Sequence, residues 1–172
     1  MLRGLHAALA EHLGPANDAA YRLGYEWALQ DMLRLNQKMR DEFGGKNFDF
    51  WQMEAKFILD SWWAPLDAMG WGAAAFDFVA IARGLAFVEL RHSIVAAAHP
   101  DAPQPVCHLY AGLFAGALSF FERAERHAVE IQCRATGHDT CRFVAGPGAE
   151  IDAAETWRKQ GAAAAEILRR LG

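Results

Sequence analysis

The sequence lacks most features that would take it out of the ordinary globular class. No run approaches the roughly 18–20 apolar residues needed to cross a bilayer. The first residues, Met1 to Leu13, include Arg3, His6, Glu11 and His12 and are too polar for a secretory signal. Both absences lead to the expectation of a cytoplasmic protein. Basic blocks are also missing, and the net charge is −4. A phosphate-tracking surface is therefore not expected, which argues against nucleic acid as a direct partner. No Gly-x-Gly-x-x-Gly fingerprint occurs, so nothing marks a dinucleotide site. Internal repeats and linker-like stretches are absent, and 172 residues suit one domain over the whole chain, 1–172. Cysteine is scarce, at three. An odd count in a reducing compartment disfavours a disulfide framework. The cysteines are then core thiols, reactive thiols or metal ligands.

What is present reads as α+β. Leu2 to Leu13 and Asn17 to Phe43 have helical patterning, with Asn17 as cap and Gly44-Gly45 as stop. Phe48 to Met69 reads as a third helix, rich in aromatics, which Pro65 kinks or shortens. Residues 1–69 thus form a helical N-terminal part. Trp71 to Ile81 and Gly84 to His92 read as antiparallel strands joined by a tight turn at Ala82-Arg83. In the second run Phe87, Glu89 and Arg91 alternate with Val88 and Leu90. His99 to Pro105 is a proline-rich loop, and Val106 to Glu122 an apolar helix with Gly112 and Gly116 four apart. Arg126 to Cys133 and Thr140 to Ala145 form a second hairpin around Ala135 to Asp139. Ile151 to Leu171 reads as one C-terminal amphipathic helix, 151–171. The expected architecture is a small antiparallel sheet of two hairpins packed against several helices.

The second hairpin carries the chemistry. Cys133 ends one strand, Cys141 lies on the next, and a hairpin brings such positions close. Glu130 stands three residues before Cys133, which places the two on opposite faces of a regular strand. Both can face one ion only if the strand bulges or bends. Cys107, at the start of the glycine-containing helix, is positioned to close a tetrahedral shell. Zinc favours such a thiolate-rich set, and four protein ligands leave no open position, as in structural rather than catalytic sites. The alternative is that all three cysteines are small buried hydrophobes.

The stretch from Gly70-Trp71-Gly72 to Phe143, the motif region 70–145, resembles the 4-vinyl reductase family domain. The matching pieces are Gly70-Trp71-Gly72, Val106-Cys107-His108 leading into Ala111-Gly112-Leu113-Phe114-Ala115-Gly116, and Glu130-x2-Cys133-x3-Gly137-x3-Cys141-x-Phe143. Tyr21-Arg22-Leu23-Gly24-Tyr25 is similar to the family's upstream helix. The family includes sensor domains of bacterial activators that respond to aromatics and hold zinc through Cys, Glu, Cys and Cys. The resemblance therefore implies zinc at Cys107, Glu130, Cys133 and Cys141, pinning the second hairpin to the Cys107 helix, and a homodimer paired through the N-terminal helices. The family is also similar to a vesicle-tethering fold with a lipid-accepting cavity, and a relative in bacteriochlorophyll synthesis gave it its name. The phenol sensors hold the ligand hydroxyl with a His and a Trp. Ungapped counting places Ile58 and Ala86 there, with Trp62, Trp63 or His92 as possible substitutes.

The leading functional reading is a zinc-stabilised sensor or carrier for a small hydrophobic or aromatic ligand. Its pocket would be lined by Phe57, Trp62, Trp63, Trp71, Phe76, Phe87, Tyr110 and Phe114, although each ring alone could be plain core packing. Six tryptophans are more than such a core needs. The alternatives are an accessory protein of tetrapyrrole synthesis, as carrier or reductase, and a structural, partner-binding subunit. A metal enclosed by four protein ligands speaks against direct catalysis. His108 and His138 are candidates to support a ligand or to replace Glu130, while His127, Asp77, Glu89 and Arg91 read as surface groups.

Overall fold

The computed structural model describes residues 16–43 and 47–172. The expected helix Leu2–Leu13 and the Gly44-Gly45 stop lie outside these residues. The chain is α+β, with six α-helices and one four-stranded antiparallel sheet among the described residues. Helix α1 spans Ala16–Phe43 and α2 spans Ala55–Ala68. Strands β1 (Ala73–Asp77) and β2 (Ala86–Arg91) follow, then the short α3 (Ile94–Ala98) and the apolar α4 (His108–Glu122). Strands β3 (His127–Gln132) and β4 (Cys141–Gly146) form the second hairpin. Helices α5 (Gly148–Lys159) and α6 (Ala164–Leu171) close the chain. The sheet order is β1-β2-β4-β3, so the two hairpins join through β2 and β4.

Strand alternation sorts the sheet's two faces. On β2, Ala86, Val88 and Leu90 are buried inward while Phe87, Glu89 and Arg91 point out. Opposite Val88 stands Phe143 of β4, and these residues join the core shared with α1, α2 and α4. The outer face of β3 and β4 is covered by α5 and α6, through Ile131, Val144, Ile151 and Ile167. Strand β4 is consequently buried on both faces, and Val144 is as dry as Phe143.

Helices α1 and α4 make the tightest junction. Added Cβ atoms at Gly112, Gly116 and Gly24 would collide with the backbone carbonyl oxygens of Tyr21, Tyr25 and Leu109 respectively. The four-residue glycine spacing read from the sequence is therefore where one backbone lies on another. At the far end of α4, buried Ser119 ties three elements together. Its Oγ accepts from Tyr25 Oη at 3.1 Å and from the Arg126 N–H at 2.8 Å, and it donates to Ala115 O at 2.7 Å. Ser119→Ala strands the Arg126 N–H and should cost about 1–3 kcal/mol. A thermal melt indistinguishable from wild type would show that Ser119 is not the junction described.

Four boundary expectations are corrected. Phe48–Met69 is not one helix: Asp49 Oδ1 accepts from Trp51 N at 3.0 Å and starts a separate 3₁₀ turn, Phe50–Gln52. Pro65 does not shorten that helix, since α2 runs through it to Ala68. The first hairpin is joined not by a tight turn but by residues 78–85, which include a 3₁₀ turn, Ile81–Arg83, closed by Gly84 at φ 72°. The C-terminal helix is two helices, broken at Gly161 with φ 89°. The short α3, capped by Ser93, was not expected.

Candidate metal centre

The hairpin delivers two of the cysteines. Cys133 follows β3 in extended backbone and caps the turn Arg134–Thr136, whose Thr136 Oγ1 donates back to Cys133 O at 2.8 Å. Gly137, at φ 93°, lets the chain reverse, and Cys141 opens β4. The Arg134 N–H donates to Cys141 Sγ at 3.3 Å. The bulge that the spacing demanded is present: Glu130 pairs with Phe143, Gln132 pairs with Arg142, and the register shifts between them. Ile131 is the extra residue and goes to the outer core. Glu130 and Cys133 thereby reach the same interior.

Cys107 arrives from the other side as the cap residue of α4. Its N–H donates to Glu130 Oε2 at 2.8 Å. Its Sγ lies 4.0 Å from Cys133 Sγ and 3.8 Å from Cys141 Sγ. Ligand atoms of all four residues fall within 4.8 Å of one another, and all four residues are buried. The set could hold a metal ion. Neither histidine takes Glu130's place in it: His138 is exposed, and His108 is not among the clustered donors. Ser93 Oγ, 3.5 Å from Cys107 Sγ, is a neighbour that sequence reading missed. Its one signal was a helix-capping serine three residues before Ala96.

The electrostatics of the bare donors are one-sided. Contacts with Cys133 and Cys141, together with burial, push the Cys107 thiol far up. Burial raises the Glu130 carboxyl well above the usual carboxylate range. Cys133 alone is pulled down, to about 2, by hydrogen bonds from Cys107 and Cys141. Without a cation, then, the cluster favours a single thiolate, because further buried negative charge is costly. Glu130 Oε1 is buried with no hydrogen-bond partner among the described residues. A divalent cation would offset part of the charge of the ionised donors and would use that oxygen.

Beside the cluster, six of the eight aromatic residues singled out from the sequence form one contiguous set. Trp63 lies 5.9 Å from Tyr110 and 5.3 Å from Phe114, ring centre to ring centre, and Phe76 is 5.8 Å from Phe114. Trp62 and Trp71 extend the set through Trp63 and Tyr110. Phe143, not anticipated, packs 5.0 Å from Phe114. Phe57 is 48% exposed, and Phe87 points to the opposite face of the sheet and packs on the outer core. Ile58 and Ala86, the counterparts counted for the phenol sensors' polar pair, are buried and apolar. Polar handles remain: Trp63 Nε1 donates to Gly72 O at 2.8 Å and Tyr110 Oη to Trp71 O at 2.6 Å. Trp62 Nε1 is buried without a partner among the described residues.

Residues 86–147 match the 4-vinyl reductase domain family, which bears out the resemblance read from the sequence. No curated protein matches the chain. Among solved structures, the phenol-responsive sensory domain of the transcription activator PoxR, crystallised with phenol, aligns at TM-score 0.63 and 21% identity, over 91% of this chain and 77% of that one. An H-NOX domain from Shewanella oneidensis aligns at 0.52 and 16%, over 86% and 74%. A vinyl-4-reductase family protein from Methanocaldococcus jannaschii aligns at 0.44 and 14%, over 69% and 88%. At these identities the likeness is one of fold. No helix among the described residues is long and apolar enough to cross a membrane.

Proposed function

Because residues 86–147 match the 4-vinyl reductase domain, we propose that this chain is a zinc-stabilised small-molecule-binding module, a sensor or carrier for a small hydrophobic or aromatic compound. The observation that carries the reading is the buried Cys107–Glu130–Cys133–Cys141 cluster set against the aromatic residues of α4. Zinc fits the donors: Zn–S bonds of about 2.3 Å in a tetrahedron separate sulfurs by about 3.8 Å. The pairs at Cys107 stand at 3.8 and 4.0 Å. Four protein ligands close the shell, which gives the metal a structural role. Three free thiols at such a site suit the reducing cytoplasm.

The ligand seat lies between α2, the first hairpin and α4, with Trp62, Trp63, Trp71, Phe76, Tyr110 and Phe114 as its walls. These rings touch, so a ligand must part them. Trp62 Nε1, one turn along α2 from Ile58, supplies the spare donor for a ligand oxygen. PoxR's phenol supports an aromatic ligand carrying one hydroxyl. The homodimer draws support from Leu23 and Leu33, which are exposed on α1. Sedimentation velocity tests it, and a monomer at all concentrations would remove it.

Metal analysis of purified protein should return one zinc per chain. Finding none, with three thiols that titrate freely in the native state, would sink the metal reading. For the seat, tryptophan fluorescence is titrated with phenols, fatty acids and porphyrins. Phenols should bind saturably, and Trp62→Phe should weaken them by about tenfold while sparing toluene, since one hydrogen bond is lost. Binding of a porphyrin alone would instead make this a tetrapyrrole carrier.

A further inference from the structure

A half-open cavity of about 550 Å³ lies on the outer side of the second hairpin, between that hairpin, the 103–105 loop and the α5–α6 junction. Its lining includes Arg142, Arg158 and His138 but no aspartate or glutamate. The nearby acids are outnumbered. Glu89 is shared by Arg142 at 3.2 Å and Arg91 at 2.9 Å. Glu155 is held by Lys159 at 3.0 Å, with Arg158 further off at 3.8 Å. Glu89 and Glu155 therefore each meet two cations, and one guanidinium in each group borders the cavity, while Glu166, in the first turn of α6, is held by Arg170. Arg158 Nε is moreover buried with no hydrogen-bond partner among the described residues.

The beginning of α6 forms another wall. Residues 161–165 read Gly-Ala-Ala-Ala-Ala, and Ala163 occupies the cap position with no side-chain cap bond. The first N–H groups of a helix have no partner within it, and alanine is among the poorest caps. Nothing on the side chains of residues 161–165 can accept from them. Cationic side chains and an uncapped helix start thus border one space. Ile131 and Ala165 make part of it apolar.

We propose that this cavity binds a soluble phosphate monoester, its dianion set against Arg142, Arg158 and the N–H groups of Ala164 and Ala165. Oxyanions suit helix starts, and guanidinium pairs with phosphate through two parallel hydrogen bonds. The site is separate from the aromatic seat and makes no use of the metal, although Cys133 borders it.

Isothermal titration of the purified, metal-loaded chain tests this, with inorganic phosphate, phenyl phosphate, succinate and vesicles containing phosphatidic acid as probes. Phosphate and phenyl phosphate should bind at one saturable site. Arg158→Gln should weaken both by about tenfold or more, the worth of a charge-assisted pair. Ala163→Asp should abolish binding while melting no lower than wild type, because it places a carboxylate at the cap. The second variant separates loss of the site from loss of the fold. The proposal is overturned by absence of saturable phosphate binding in the millimolar range, or by undiminished binding in both variants. Succinate binding more tightly than phosphate, or association only with the vesicles, overturns it equally.

Discussion

Cys141→Ala lowers the melting temperature of the metal-loaded protein by roughly 10–20 °C, following the few degrees per kcal/mol expected for a chain of this size. The reasoning starts from what the cluster joins. Cys133 and Cys141 fix the two sides of a hairpin turn, and Cys107 with Glu130 fixes that hairpin to α4. Structural zinc contributes about 10–16 kcal/mol of apparent binding in small domains, comparable to the whole stability of a native protein. Loss of one of its four donors forfeits several kcal/mol of that. An ordinary buried cysteine replaced by alanine loses only a small apolar contact, about 1 kcal/mol on the area scale. Circular dichroism melts with and without a strong chelator distinguish the two cases. The chelator should lower the wild type at least to the level of the untreated variant and should move the variant by less. If Cys141→Ala and Cys133→Ala both melt within a few degrees of wild type, the metal does not hold the fold.

Gly112→Ala is expected to be nearly as damaging, for an unrelated reason. Its new methyl group would collide with Tyr21 O and stand 2.9 Å from Tyr25 N, and both obstacles are backbone. A side chain can change rotamer; a helix must translate. Overpacking a core typically costs about 1–3 kcal/mol, and here the whole of α1 must withdraw from α4, which places the cost at or above the top of that range. Alanine otherwise favours a helix over glycine by about 1 kcal/mol, so any net destabilisation measures the crossing itself. Gly137→Ala is the comparison, because no atom lies within 4 Å of that Cβ and only the φ of 93° penalises it. Urea denaturation should rank Gly112→Ala well below Gly137→Ala. Equal midpoints would mean the helices are not in backbone contact.

Both expectations rest on features legible in the chain. The approach of Cys133 to Cys141 was readable because hairpin pairing is local, and the need for a bulge near Glu130 followed from strand parity; the full set with Cys107, distant in sequence, rested on the family resemblance. The glycine pair of α4 was readable as a close approach, though not its partner, since nothing in Tyr21 or Tyr25 marks them as the surface met. Other features escaped for physical reasons. The run Ala162 to Ala165 has high helix propensity, yet the chain breaks there so that α6 can turn onto the outer face of the sheet. Five-residue α3 is too short for any period to show. Phe57 is aromatic like the pocket residues, but its side of α2 faces solvent. Phe87 is different: its alternation with Val88 places it on the other face of the sheet, and that parity outweighs its ring type.

Cys107 belongs to two assemblies at once. It is a donor of the buried cluster and the cap of the helix that carries Tyr110 and Phe114 one and two turns further along. Thermodynamic reciprocity then applies to anything bound at either end. A ligand that parts the rings by shifting α4 changes the affinity for metal by the same factor by which metal changes the affinity for that ligand. Metal occupancy and ligand occupancy are on this account two readouts of one helix position.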